Sequence, residues 1–323
     1  KIDLGGHKLS RAGGFVLDIY GDVTITNGTI EMTGAASGSA IWINNGAKVT
    51  IDNSVKVSAT GSVNNKTSFA IAFDSSCDGA ALTFNGAIAG ENGVTINGNI
   101  TKNTNKISVN GTIDVTELAL YLAGNGTTDI NNGASLKGDV GVEIRAGVLN
   151  INGGTITSTG ANYNVTSNPG GATTTGAALA VAEHTTNQGV TVNINGGTIT
   201  NVAGGKAISV ANPEEKEEAK GANVSVNGGT ISGDVKVGEN VKSTVEGKEP
   251  LTVSGDYNMT KDSEGNYTIA KKPTSYYYYS PSTTTPDTTK GSPKTFDAGV
   301  GIYAVTAVLS VTGMAWTAKK RGN

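Results

Sequence analysis

Aromatic residues, charge and cysteine are all scarce in this chain. Its 323 residues include 5 Phe, 2 Trp and 7 Pro, and only 16% are charged. Compact globular domains draw on more aromatics in their cores and more charge on their surfaces. A formal net charge of -3 offers no basic field for nucleic acid or an anionic membrane surface, so no nucleic-acid partner is expected. Cys77 stands alone, which excludes an intrachain disulfide and a cysteine-based metal site. It lies beside the apolar run Ala70-Ile71-Ala72-Phe73 and reads as a buried, inert thiol. No metal site and no cofactor are expected. The opening stretch, KIDLGGHKLS, has no signal-peptide pattern and starts inside what reads as structure, so the natural beginning is expected to lie upstream.

What the chain does have is Gly, 46 residues of it, set with Asn and Thr in a repeat. The phrase reads VTITNGTIEM at 23–32, KISVNGTIDV at 106–115, VLNINGGTIT at 148–157, TVNINGGTIT at 191–200 and NVSVNGGTIS at 223–232. Looser copies are VTIDNSVKVS at 49–58, LTFNGAIAG at 82–90 and TDINNGASLKG at 128–138. Each alternates apolar and polar residues with strand period, breaks near Asn-Gly and in the clearer copies resumes with Thr-Ile. Asn and Gly tolerate the left-handed backbone that a sharp corner needs. A second apolar phrase precedes most copies: VLDI at 16–19, AIWI at 40–43, AIAF at 70–73, ALYL at 119–122, GVEI at 141–144, ALAV at 178–181 and AISV at 207–210.

Two strands with intervening corners, recurring about every 21 to 32 residues, suit one coil of a parallel β-helix, in which each coil buries the next one's apolar row. A β-sandwich competes, but antiparallel hairpins give no reason for the same phrase to recur in the same order. The expected fold is therefore all-β: a single-stranded parallel β-helix over residues 1–256, with some eight or nine coils and a height of roughly 40 Å. Inward positions would be Ile25, Ile30, Ile151, Ile156, Ile194, Ile199, Val226 and Ile231. Corner residues Asn27, Asn110, Asn152, Asn195 and Asn227 would form a structural ladder of side-chain amides. Two segments leave the pattern. NYNVTSNPGGATTT at 162–175 reads as polar and flexible, and NPEEKEEAK at 212–220 as a solvated charge run. A hairpin over 257–270, turning at Glu264-Gly265-Asn266, would cap the open end.

From 271 to 291 the composition turns to Pro, Ser and Thr with four tyrosines, Tyr276 to Tyr279, and reads as a disordered, wall-spanning linker. Ser292-Pro293-Lys294-Thr295-Phe296 follows, then residues 298–318 without a charge, then Lys319, Lys320 and Arg321. As a helix rising about 1.5 Å per residue the apolar span would cover roughly 31 Å, the thickness of a bilayer's hydrocarbon core, so a transmembrane helix is expected. A buried helix docked on the domain would need a polar face, which the span lacks.

This layout resembles the C-terminal sorting signals of Gram-positive surface proteins, the LPXTG family with its SPXTG and NPXTG variants. The resemblance covers the last 32 residues, from Ser292 to Asn323. It implies a sortase as partner, cleavage between Thr295 and Phe296, and attachment of Thr295 to peptidoglycan, with Lys319, Lys320 and Arg321 as the membrane-retention tail. The expected location is extracellular, at the cell surface. Phe296 departs from the Gly usual at that place. The alternative is a plain C-terminal membrane anchor with its basic end inside. Either arrangement puts the repeats outside.

The repeat region resembles the right-handed parallel β-helix superfamily, which includes pectate lyases, polygalacturonases and non-catalytic adhesins. That resemblance lies in the coil pattern and implies no catalytic residue here. Hydrolysis of the polygalacturonase kind needs clustered carboxylates, and this chain has no Asp-Asp pair. Its two histidines, His7 and His184, stand in no acidic cluster of the sequence. Lyase chemistry needs a Lys or Arg base and several carboxylates for Ca²⁺. Glu143 with Arg145 is one candidate pair, but the strand pattern favours an exposed ion pair on one face. The run at 214–220 is a second candidate, for loosely held Ca²⁺, although its spacing fits no known loop. The expected function is a surface adhesin or spacer presenting ranks of Thr and Asn to a glycan or host-surface ligand. The alternative is a polysaccharide-active enzyme whose residues converge from separate coils. Thr-X-Thr pairs such as Thr24-Ile25-Thr26 and Thr155-Ile156-Thr157 leave ice binding as a third reading.

Overall fold

The computed structural model describes residues 1–61, 68–217 and 219–273, all within one compact unit, Lys1–Pro273. The sorting signal, the apolar span, the basic tail and the linker from 274 onward lie outside the described residues. Among the described residues the regular structure is all strand, and no helix is long and apolar enough to cross a membrane.

The strands stack in parallel, in a β-helix-like succession of coils. Each full coil contributes three strands, not two, because the Asn-Gly phrase is itself broken into two strands at its corner. Face A is a sheet of ten strands running from Ile2–Asp3 through Val23–Thr26 and Thr127–Ile130 to Leu251–Val253. That is one or two rungs more than the repeat count suggests, because Ile2–Asp3 and Leu251–Val253 belong to incomplete phrases. Face B follows the corner, with strands such as Val55–Ala59, Thr155–Ser158 and Thr198–Asn201. Face C carries the second phrase, including Phe69–Phe73, Val94–Ile96, Leu118–Leu122 and Val140–Ile144. Faces B and C merge into one 18-stranded sheet because Lys8–Ile19 and Gly28–Ile43 run continuously around the bend between them.

Coil length varies while register does not. Asn131 and Asn152 are 21 residues apart, Asn152 and Asn195 43, yet both pairs are direct neighbours. The longer step absorbs the 162–175 segment. Ile25, Ile30, Ile151, Ile156, Ile194, Ile199 and Val226 are all buried. Ile231 is the exception and is only partly buried against the core, in the last rung of face B, where no further coil covers it.

The corners obey a different rule from the one their composition suggests. Asn27 has a left-handed φ of 58°, but it is the only residue of the expected ladder that does. At NGG corners the left-handed residue is the second glycine, as at Gly229 with φ 83°. The first glycine is required by close approach: a Cβ on Gly228 would sit 2.1 Å from the carbonyl oxygen of Asn195 in the coil before. At the far end Tyr257–Lys261 and Asn266–Lys271 form an antiparallel hairpin, and Asn266–Tyr267 pair with Val235–Lys236. The hairpin occupies the strand edge that face C would otherwise leave open. Cys77 is buried, its Sγ directed at the Ile43 carbonyl oxygen at 3.1 Å, and burial pushes the thiol up to about 11.

Candidate functional site

The parallel register converts the second apolar phrase into a row of outward side chains on face C. Asp18 pairs with Trp42, Trp42 with Ala72, Ala72 with Thr95, Thr95 with Tyr121, and Tyr121 with Glu143. Two large aromatics therefore stand three rungs apart with Ala72 and Thr95 between them. At about 4.8 Å per rung that separation is about 14 Å. Phe15 stacks on Trp42 with ring centroids 4.3 Å apart, and Phe69 stacks on Tyr121 at 6.1 Å.

The two aromatic pairs, with Ala72 and Thr95, line a trough of about 710 Å³. Ala72 and Thr95 lie along its middle. One side comes from the starts of the face C strands, with Phe15, Ser39 and Phe69; the other comes from the corners that follow, with Asn97, Gly98, Asn99 and His184. Pro169 and Gly170, from the 162–175 segment, complete the lining. Among the described residues, the lining contains no Asp, Glu, Lys or Arg.

His184 is neutral in this wall. Burial and the neighbouring Arg145 charge hold it down to about 4. Its Nδ1 accepts the backbone N–H of Thr186 at 3.2 Å, so the ring proton resides on Nε2. The ring lies against Gly98: a Cβ there would be 2.6 Å from Nε2. Glu183 precedes His184 in sequence but turns away, its two oxygens accepting the N–H groups of Lys220 and Gly221 at 2.8 Å each. His7 lies outside the trough, in an exposed position near the first corner.

Glu143 and Arg145 are not an exposed ion pair. Both are fully buried, and each serves the 162–175 segment. Glu143 Oε1 accepts Thr173 N–H and Thr173 Oγ1–H, both at 2.8 Å, with Thr174 N–H 3.4 Å from Oε2. Burial still raises this carboxyl above its ordinary range, opposed by those bonds and by the Arg145 charge. Arg145 donates to the carbonyls of Asn168 at 2.9 Å and Gly171 at 2.5 Å, and its Nη2 lies 3.4 Å from Glu214. The strand alternation that suggested exposure is real; what covers the outward face is the segment itself. Tyr121 Oη is buried near Arg145 with no hydrogen bond of ordinary geometry, and desolvation pushes it up to about 12.

The 162–175 segment is therefore pinned, with a short antiparallel pairing of Asn164–Val165 and Thr174–Thr175 and a Tyr163–Ser209 hydroxyl contact of 3.0 Å. The charge run at 212–220 is tied down as well. Glu214 accepts Ser167 Oγ–H at 2.8 Å and Asn168 N–H at 3.1 Å, which commits it to the pinned segment instead of to a cation. Lys216 Nζ donates to the Thr185 carbonyl at 3.0 Å.

The asparagine ladder is continuous over six rungs: Asn85, Asn110, Asn131, Asn152, Asn195 and Asn227 are joined by amide contacts of 2.9 to 3.4 Å. Asn27 stands apart from it and donates to Asp3 at 3.4 Å. On face A a nine-residue outward row runs Thr24, Thr50, Thr83, Ser108, Asp129, Asn150, Asn193, Ser225, Thr252. On face B, Thr155/Thr157, Thr198/Thr200 and Thr230/Ser232 lie in consecutive rungs. Both rows lie on sheet surfaces; besides the trough, a smaller hollow of about 390 Å³ lies beside face A, lined by Val148, Thr191 and Lys220 among others.

No family model, curated protein or solved structure matches this chain.

Proposed function

We propose that this chain is a cell-surface glycan-binding protein, a parallel β-helix that presents its face C trough to the outside and is joined to peptidoglycan through Thr295. The observation that carries the binding reading is the trough itself. Two stacked aromatic pairs flank a floor of small side chains, and amides, hydroxyls and a neutral imidazole edge it. Aromatic faces pack on the C–H faces of sugar rings, and convergent polar groups in a mostly apolar cleft fix orientation. Among the described residues the trough offers no carboxylate to protonate a glycosidic oxygen, which favours binding over hydrolysis as the reading.

The address rests on the tail: Ser292-Pro293-Lys294-Thr295-Phe296, the uncharged span 298–318, and Lys319, Lys320 and Arg321. A sortase would act at Thr295, and the linker would hold the repeats clear of the wall. The test of binding is retention of the full chain on a panel of neutral and acidic polysaccharides and mucins, with released sugars assayed in parallel. Retention without product is the expected result; released product would replace the binding reading with an enzymatic one. The test of the address is expression in a Gram-positive host with one of the host's own secretion signals fused ahead of Lys1. Wall-released protein should end at Thr295, and Thr295→Ala should leave the chain in the membrane fraction. Equal wall attachment of the variant would contradict it.

A further inference from the structure

Resting on the glycan-binding reading, we infer that the trough takes a neutral, extended oligosaccharide of about three pyranose rings, lying along the stacking direction of the coils. Trp42, Ala72, Thr95 and Tyr121 are register partners in successive coils, so the row runs across the strands. Its repeat is the strand spacing of about 4.8 Å. An extended chain of equatorially linked pyranoses advances by nearly the same length per ring, so one ring fits each rung. Three rung intervals separate Trp42 from Tyr121, which sets the length.

Shape and charge narrow the class further. Ala72 and Thr95 leave the floor low between the tall ends, and a branched or axially linked chain would not follow a straight row of this width. A ring over Ala72 would stack beside Trp42, the accessible one of the two end aromatics. The corners place Asn97, Asn99 and His184 beside the same rungs, groups that match hydroxyls and acetamides. Among the described residues that line the trough, uronates and sulfated sugars find no counter-charge. Arg145 is fully buried and holds four backbone carbonyls and Glu214, while the exposed Arg11 donates to the Phe15 carbonyl at 3.0 Å and does not itself line the trough. His184 stays uncharged well below neutrality, down to about 4.

The experiment is calorimetric titration of the full chain with β-1,4-linked glucose oligomers of two to six rings and with oligogalacturonates of the same lengths. Affinity for the neutral series should rise up to three rings and then level off, with the uronates at least tenfold weaker. Trp42→Ala should weaken the neutral trimer at least tenfold. Thr95→Trp, which fills the floor from an outward position, should abolish binding while leaving the urea midpoint near that of the parent. Tighter binding of uronates, affinity that keeps growing to six rings, or unchanged binding in both variants would overturn the inference. Uronate binding lost on Trp42→Ala would overturn the neutral class alone and leave the trough as a glycan site. Failure of every glycan in the titration and in the retention panel would remove both readings.

Discussion

The same substitution at two buried carboxylates should have unequal consequences. Glu183 uses both oxygens as acceptors of short backbone N–H bonds, from Lys220 and Gly221 at 2.8 Å. Glu183→Gln turns one oxygen into an NH₂ that meets an N–H head-on. A hydrogen bond to a charged acceptor contributes about 1.5–3 kcal/mol, and a buried donor left unpaired costs about 1–3 kcal/mol. Since these overlap, the expected loss is about 2–4 kcal/mol. Glu143 concentrates its short bonds on Oε1, while Oε2 has one weak neighbour at 3.4 Å. Glu143→Gln can keep Oε1 in place and remove a carboxylate whose ionisation burial disfavours. The expected change is within about 1 kcal/mol.

The pH dependence is common to the two, because burial raises both carboxyls above their ordinary range. Glu143 has its carboxyl raised above the unfolded value, so the folded state holds its proton longer. Its contribution is complete below the ordinary carboxylate range and is lost as pH rises through the raised value. Glu143→Gln should flatten that part of the stability profile. Equilibrium urea unfolding across pH, with amide exchange at Thr173, Lys220 and Gly221, measures both effects. Equal losses in the two variants, or a neutral Glu183→Gln, would refute the reasoning.

Three further outcomes follow from other sites. His184 is depressed to about 4 while the unfolded chain titrates near 6.5, so stability falls as pH drops from about 6.5 toward 4. The loss should be roughly 1–3 kcal/mol, and His184→Gln should remove that slope in urea midpoints taken over the same range. Gly228→Ala should cost about 2 kcal/mol or more, because its Cβ would overlap the Asn195 carbonyl at 2.1 Å; a thermal melt checks it. Asn195→Ala breaks two ladder contacts, to Asn152 at 3.2 Å and from Asn227 at 3.3 Å, both solvent-exposed. Its cost should be only about 1 kcal/mol in the same melt.

The stacked, parallel character of the chain was legible because the repeat is written in its corners and alternation. A phrase such as VNINGGTIT states where a strand bends and which side chains turn inward. The third strand per coil was harder to see because the phrase, although it breaks at Asn-Gly, leaves only three to five residues on the far side, as in Thr155–Ser158 and Thr230–Ser232. The trough was present in the sequence but unread. Aligning the second phrases and taking the third residue of each gives Asp18, Trp42, Ala72, Tyr121, Glu143, Ala180 and Ser209. Thr95 belongs to VTI at 94–96, a short strand the phrase list passed over. The burial of Glu143 and Arg145 was not legible by any local rule. It depends on a segment that begins 17 residues after Arg145 and folds back over the same face.

The central claim is that function resides in the face C trough and not on the Thr and Asn rows. The structure of the full chain with a bound neutral trimer tests it most directly. The account predicts sugar rings over Ala72 and Thr95, stacked against Trp42 and within hydrogen-bond reach of Asn97, Asn99 or His184. Sugar bound along the face A row from Thr24 to Thr252, with the trough empty, would contradict it.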